Sequence, residues 1–280
     1  SLILEIMPKY RIIVVEDTLE LPVDSIRKLG YDILRMKVRS ALIRESTEVS
    51  AADGIRTSLR LGDSCLIVGE VRSEEALALY EAMRVGALAN VVAGTIHGAS
   101  PYGVFDRVVN DLKVPATSFK ATDLILIANP IKSPDGLHRW RRVLQLTEVR
   151  KHWKNDPMLE GGFVDLLKYD VYEDQLKPTP ELLNGESEII KAIAASVKGW
   201  AGNWDAVFDN IMLRAKTKEL LVNYANKLKK QDLLEAEFVV KANNVFHNIC
   251  EDVKREVGLP LSKYVFPKFE GWLKKEVKKK

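Results

Sequence analysis

Cysteine, histidine and long apolar runs are all scarce in this 280-residue chain, and each scarcity excludes something. The two cysteines, Cys65 and Cys250, are too few for a disulfide scaffold, and neither has the spacing of a metal ligand set. The four histidines, at 97, 138, 152 and 247, form no paired motif, so structural zinc is not expected. No apolar stretch approaches the ~20 residues that a membrane-spanning helix needs, and nothing resembles a signal peptide. A cytoplasmic protein with two reduced, buried thiols is the expectation. An excess of one charge is missing too. The chain has 42 basic and 39 acidic residues, a net +3, which gives no reason to expect nucleic acid as a partner. Finally, none of the 16 glycines is followed by lysine, so the phosphate-cradling pattern Gly-x-x-x-x-Gly-Lys-Ser/Thr is absent.

What is present is a set of three apolar strands with polar tips. Arg11-Ile-Ile-Val-Val runs into Glu16-Asp17-Thr18, Ser64-Cys-Leu-Ile-Val into Gly69-Glu70-Val71-Arg72, and Val91-Val-Ala-Gly94 into Thr95-Ile-His97-Gly98. Short apolar runs of this kind suit strands buried on both faces of a parallel sheet. In an open parallel sheet, ligands gather outside the carboxyl ends of the strands. The three tips therefore predict one rim carrying Glu16, Asp17, Glu70, Thr95 and His97. A rigidly held acid at such a rim is what Mg-nucleotide hydrolysis requires beside the metal or its water.

Taken in order, Val-Glu-Asp-Thr, Ile-Arg-Thr-Ser-Leu-Arg, Leu-Ile-Val-Gly-Glu-Val-Arg-Ser-Glu-Glu-Ala and Gly-Thr-Ile-His-Gly make residues 1–150 resemble the type II/IV secretion ATPase superfamily, in wording closest to its archaeal branch. In that family's terms Glu16-Asp17 matches the Asp box, Gly69-Glu70 the Walker B motif and Thr95-His97 the His box. The resemblance implies a RecA-like P-loop NTPase core, α/β with a mostly parallel sheet, followed by a C-terminal α-helical domain. It also implies ATP and Mg²⁺ as cofactors. Glu16 would be the general base and Asp17 a brace of its loop. Glu70 would be the Mg²⁺ ligand, through water, and His97 a contact to the γ-phosphate. Arg56 and Arg60 would be arginine fingers toward a neighbouring subunit, or else an ordinary solvated helix face. Arg72 would be either a site residue, with Thr95, or a structural partner of Glu74 or Glu75. The implied assembly is a homo-hexamer working on an integral-membrane platform protein, peripheral at the cytoplasmic face of the membrane. A non-catalytic scaffold and a conjugation or DNA-transport motor share this core and remain alternatives. Because Ser1–Met7 reads as the end of the helix that springs from the phosphate loop in this family, that loop is expected just upstream of Ser1, and this chain alone is expected to be inactive.

Patterning divides the chain into a core at 1–150, a turn-rich junction at 151–185 and a helical domain at 186–280. Within the core, helices are expected over 51–61, 74–85 and 102–112. A basic run, Arg35-Met-Lys-Val-Arg39 followed by Arg44, lies in the connecting region. Strands are expected over 123–128 and 139–146, the second at a sheet edge. Helices at 187–199, 204–226, 230–256 and 261–277 complete the chain. The five tryptophans are scattered, as packing residues are. From Pro260 onward seven lysines face two glutamates, a solvated tail or one drawn to anionic headgroups.

Overall fold

The structure, a computed structural model, describes residues 2–39, 49–61, 64–73, 75–85, 89–133 and 135–279. They form two compact units: Pro8–Ile189, and Ile190–Lys280 together with the first seven residues.

The larger unit opens with β1 (Arg11–Glu16), α1 (Val23–Lys28), β2 (Ile33–Lys37), α2 (Ala51–Ser58), β3 (Ser64–Val68), α3 (Glu75–Val85) and β4 (Ala89–Gly94). Its first sheet has the order β2-β1-β3-β4, with every pair parallel. Ile12, Ile13, Val14 and Val15 of β1 are at most 2% exposed, so both faces of this strand are covered and the run needs no polar alternation. Register sets the rim. Val15 pairs with Met36 and Val68, and Val68 with Gly94, which brings Glu16, Gly69 and Thr95 out at one level. The backbone bonds Gly69 N to Val15 O (2.9 Å) and Val71 N to Thr95 O (2.8 Å) carry the pairing one step beyond the strands.

Helices start where the caps are. Ser50 accepts from Asp53 N at the start of α2, and Ser100 accepts from Gly103 N at the start of α4 (Pro101–Asp106). The helix expected over 51–61 ends at Ser58. There the Ser58 hydroxyl bonds back to Ile55 O, and Arg60 N and Leu61 N reach only three residues back, tightening the chain into turns. Arg60 is therefore not on the helix with Arg56. The helix expected over 102–112 is α4 followed by a π-turn at Arg107–Asp111. After α5 (Ala116–Phe119), Phe105, Phe119 and Trp153 stack edge-on with centroids 5.1 and 5.7 Å apart, and Lys120 lies 4.6 Å over the Trp153 ring.

A second sheet follows: β5 (Leu124–Lys132), β6 (Arg139–Val149), β7 (Phe163–Asp170) and β8 (Gln175–Pro178), antiparallel in sequence order. Two expectations change here. The strand expected at an edge, β6, lies between β5 and β7. The segment 151–185, expected as a junction, contributes two strands and α6 (Pro180–Leu183). Glu160 organises the turn before β7 by accepting from Lys154 N, Asn155 N and Asp156 N, which lowers its carboxyl's pKa. Glu148, next to last in β6, is 1% exposed. It lies 2.8 Å from Arg150 Nε and accepts from the Ser187 hydroxyl and from Glu188 N (3.0 Å) at the start of α7 (Glu188–Ala195).

The smaller unit is α8 (Trp204–Leu228), α9 (Ala236–Val257) and α10 (Ser262–Lys279) around Leu213, Leu221, Phe238, Phe246, Val265, Phe269 and Leu273. Asp209 accepts from Ser262 N and from its hydroxyl, fixing the start of α10. A short 3-10 turn at Leu2–Glu5, where the end of an α-helix was expected, belongs to this unit. Asn243 donates to Leu4 O (3.0 Å), and Lys218 pairs with Glu5 (2.7 Å). Among the described residues no helix is long and apolar enough to cross a membrane.

Both cysteines are buried and unpaired, and burial pushes the Cys65 thiol up and the Cys250 thiol up to about 11. Only the thiolate reacts. At pH 8 a maleimide should label neither residue on a timescale of minutes, and both at once in denaturant. Mass spectrometry of the labelled protein checks this.

Candidate active site

The rim is assembled by three neighbouring strands, and its centre is the Glu70 carboxylate. One oxygen lies 3.0 Å from His97 Nε2 and the other is bonded by Arg72 Nη2. Arg72 in turn reaches Asp17, Nη1 to Oδ2 3.6 Å, so residues from β1, β3 and the loop after β4 meet in one cluster. Glu70 and Asp17 are about one-fifth exposed and His97 is four-fifths exposed, so the cluster opens to solvent. The Glu70 hydrogen bond raises the Arg72 guanidinium's pKa further, which keeps a fixed positive charge among the acids. Thr95 donates its hydroxyl to Gly69 O at 2.5 Å, locking the turn that carries Glu70.

Glu75 was read only as a side-chain partner for Arg72, yet it builds the loop. It is 7% exposed and accepts from Arg72 N (2.5 Å), Ser73 N (2.8 Å) and the Ser73 hydroxyl (2.8 Å). The Arg72 side chain turns the other way, to Glu70 and Asp17. Glu74 lies outside the described residues, as does Arg44.

Glu16 lies just under this cluster. A methyl group on Gly69 would stand 3.0 Å from Glu16 Cγ, so glycine is what lets the two strand ends approach. The Glu16 carboxylate is 1% exposed. Oε1 accepts from Glu20 N (3.1 Å) and Leu21 N (2.9 Å), while Oε2 is 3.6 Å from Arg35 Nε and accepts no hydrogen bond. Arg35, first of the basic run, also bonds Leu21 O (2.6 Å) and pairs with Asp24 (3.2 Å), tying down the 17–24 loop. Gly98 serves close approach too, since a Cβ there would stand 2.6 Å from Val104 Cγ2 in α4.

Two expected site residues stay apart from this group. Arg56 is exposed on α2 between Asp53 (3.5 Å) and Glu81 of α3 (3.8 Å), and Arg60 is exposed in the turn that follows. A surface cleft of about 390 Å³, lined by Leu77, Tyr80, Arg84, Val114 and Ser118 among others, contains none of the rim residues.

Residues 2–132 match the family described as type II/IV secretion system protein. The family match thus covers the whole parallel sheet, the rim and β5. Two proteins of Methanocaldococcus jannaschii are similar. The uncharacterized protein MJ1287 is 28% identical over 190 residues, 68% of this chain and 64% of that protein. The uncharacterized protein MJ0900 is 27% identical over 150 residues, 53% of this chain and 25% of that protein. The chain spans less than two thirds of the length of either relative. Among solved structures, the VirB11 ATPase from the Brucella suis type IV secretion system overlaps 52% of this chain and 44% of its own, at 17% identity and a TM-score of 0.39. The Legionella pneumophila ATPase DotB overlaps 50% and 38%, at 18% identity and a TM-score of 0.38.

Proposed function

We propose that this chain carries the metal and water side of an Mg-ATP site in a secretion-type motor ATPase. The observation that carries the reading is the meeting of Glu70, Arg72, Asp17 and His97 at the carboxyl ends of adjacent parallel strands. The donor chemistry fits a hard divalent cation, because Glu70 and Asp17 offer carboxylate oxygens at one opening, and Mg²⁺ keeps most of its waters when held by one or two carboxylates. A grip on the phosphates is a different matter, since the 280 residues hold no Gly-Lys-Ser/Thr loop.

Bound Mg-ATP supplies the phosphoryl centre and the charge to be neutralised. The chain's own residues then have distinct tasks. Glu70 would hold the metal through its water shell, with Arg72 and Asp17 fixing the carboxylate's orientation. His97, exposed and already in contact with Glu70, turns to the terminal phosphate. Glu16 is the base, and its Oε2 is an acceptor with nothing donated to it. Arg56 and Arg60, apart from the rim, face a neighbouring subunit of a homo-hexamer whose turnover drives a membrane platform protein. The alternative reading is a scaffold subunit that keeps the fold without hydrolysis.

Hydrolysis by the complete protein separates the two. Mg²⁺-dependent release of phosphate, reduced about 10²-fold in Glu70→Gln with the fold retained, supports the motor. A wild-type rate in Glu70→Gln overturns the assignment, and no hydrolysis by the native protein selects the scaffold.

A further inference from the structure

The hairpin joining β5 and β6 carries an arrangement that nothing in the nucleotide site explains. Lys132 faces Arg139 directly across the two strands, and Arg141 follows on the same side opposite Pro130. All three cations are exposed, and among the described residues none has an ion-pair partner. Like charges placed directly opposite one another weaken a hairpin, so folding alone gives no reason for the pair. Neighbouring Arg142 shows the contrast, since it is held by both Asp174 oxygens at 2.6 Å. The turn between the two strands holds exposed Asp135, which accepts from the Ser133 hydroxyl and from Leu137 N, together with apolar Leu137, while Trp140 alternates with the two arginines along β6 and so lies on its other face. Leu137 is 79% exposed and Trp140 43%, with the His138 ring 6.0 Å from the indole.

We propose that this hairpin tip docks on an anionic lipid surface. The three exposed cations outnumber the tip's one carboxylate, Asp135, and supply attraction to headgroup phosphates, and the tip leucine and the tryptophan supply the apolar and amphipathic groups that settle at a bilayer interface. A nucleic-acid backbone would satisfy the cations and leave the leucine nothing to bury against. The assignment is independent of whether the rim hydrolyses ATP, and it gives the membrane contact to the hairpin in place of the lysine-rich C-terminal tail.

The test is sedimentation of the whole chain with phosphatidylcholine vesicles, with and without phosphatidylglycerol. Each basic residue at such a surface adds about fivefold to partitioning. The triple variant Lys132→Gln, Arg139→Gln, Arg141→Gln should therefore bind anionic vesicles about 100-fold more weakly, while its thermal midpoint is unchanged or higher because the opposed charges are gone. Leu137→Ser should lose several-fold more weakly salt-dependent binding, and the Trp140 fluorescence, taken as the difference from Trp140→Phe, should shift to the blue on anionic vesicles. Equal binding to neutral vesicles overturns the proposal. So does a triple variant that binds like the native chain, a loss seen only when Lys274, Lys275, Lys278 and Lys279 are neutralised, or tighter binding to an oligonucleotide than to vesicles.

Discussion

Glu16→Gln in the complete protein should leave ATP binding within a few-fold of normal and slow turnover by about three orders of magnitude. General-base contributions run from about 10² to 10⁴, and the amide removes only the ability to take a proton. The geometry makes the substitution clean. Glutamine keeps the oxygen that accepts from Glu20 N and Leu21 N, so the 17–24 loop retains its anchor. Arg35 loses a charged neighbour at 3.6 Å but keeps Leu21 O and Asp24. Equilibrium binding of a labelled nucleotide, set beside single-turnover hydrolysis, reads the two quantities separately. A wild-type hydrolysis rate removes Glu16 from the role of base. A joint loss of binding and thermal stability would show that the residue only braces the loop.

The largest stability effect is expected outside the rim cluster, at Glu148. Its carboxylate is closed to solvent and serves the Arg150 guanidinium, the Ser187 hydroxyl and the Glu188 amide together, while Arg150 also pairs with Glu188 (2.9 Å) and donates to Glu186 O (2.7 Å). Glu148→Ala leaves a mostly buried arginine without its main counter-charge and strips the first turn of α7 of its acceptor. Breaking a buried pair from one side costs about 3–5 kcal/mol. Urea titration of the whole chain should show the corresponding drop in midpoint, with Glu148→Gln falling between the two. A change below about 1 kcal/mol would mean that water or another group takes over the arginine.

How much of this could be read beforehand follows from where each signal is written. β1 and β3 announce themselves because interior strands covered on both faces are apolar throughout, whereas β4, equally apolar in sequence, is the sheet edge with Val91 44% exposed, and the three tips converge because adjacent parallel strands end at one level. Asp17, Glu70, Thr95 and His97 were therefore locatable from three short words of sequence. β7 and β8 were not. Phe163-Val-Asp-Leu-Leu-Lys-Tyr-Asp mixes polar and apolar residues without strict alternation, and Pro178 with the turn at 156–162 reads as loop. The end of α2 was decided by one serine hydroxyl turning back on Ile55, a choice that helix propensity does not encode. The amide-collecting role of Glu75, and Glu148 altogether, escaped notice for a related reason. A buried carboxylate that collects amides looks like any surface glutamate until its donors arrive, and for Glu148 those lie about forty residues away in the chain.

The turn at Leu2–Glu5 has a practical corollary. Because it rests on α8 and α9 through Glu5 and Asn243, a recombinant piece starting at Ile190 would leave Lys218 and Asn243 without these partners. Splicing the opening heptapeptide back onto that piece should restore its melting behaviour.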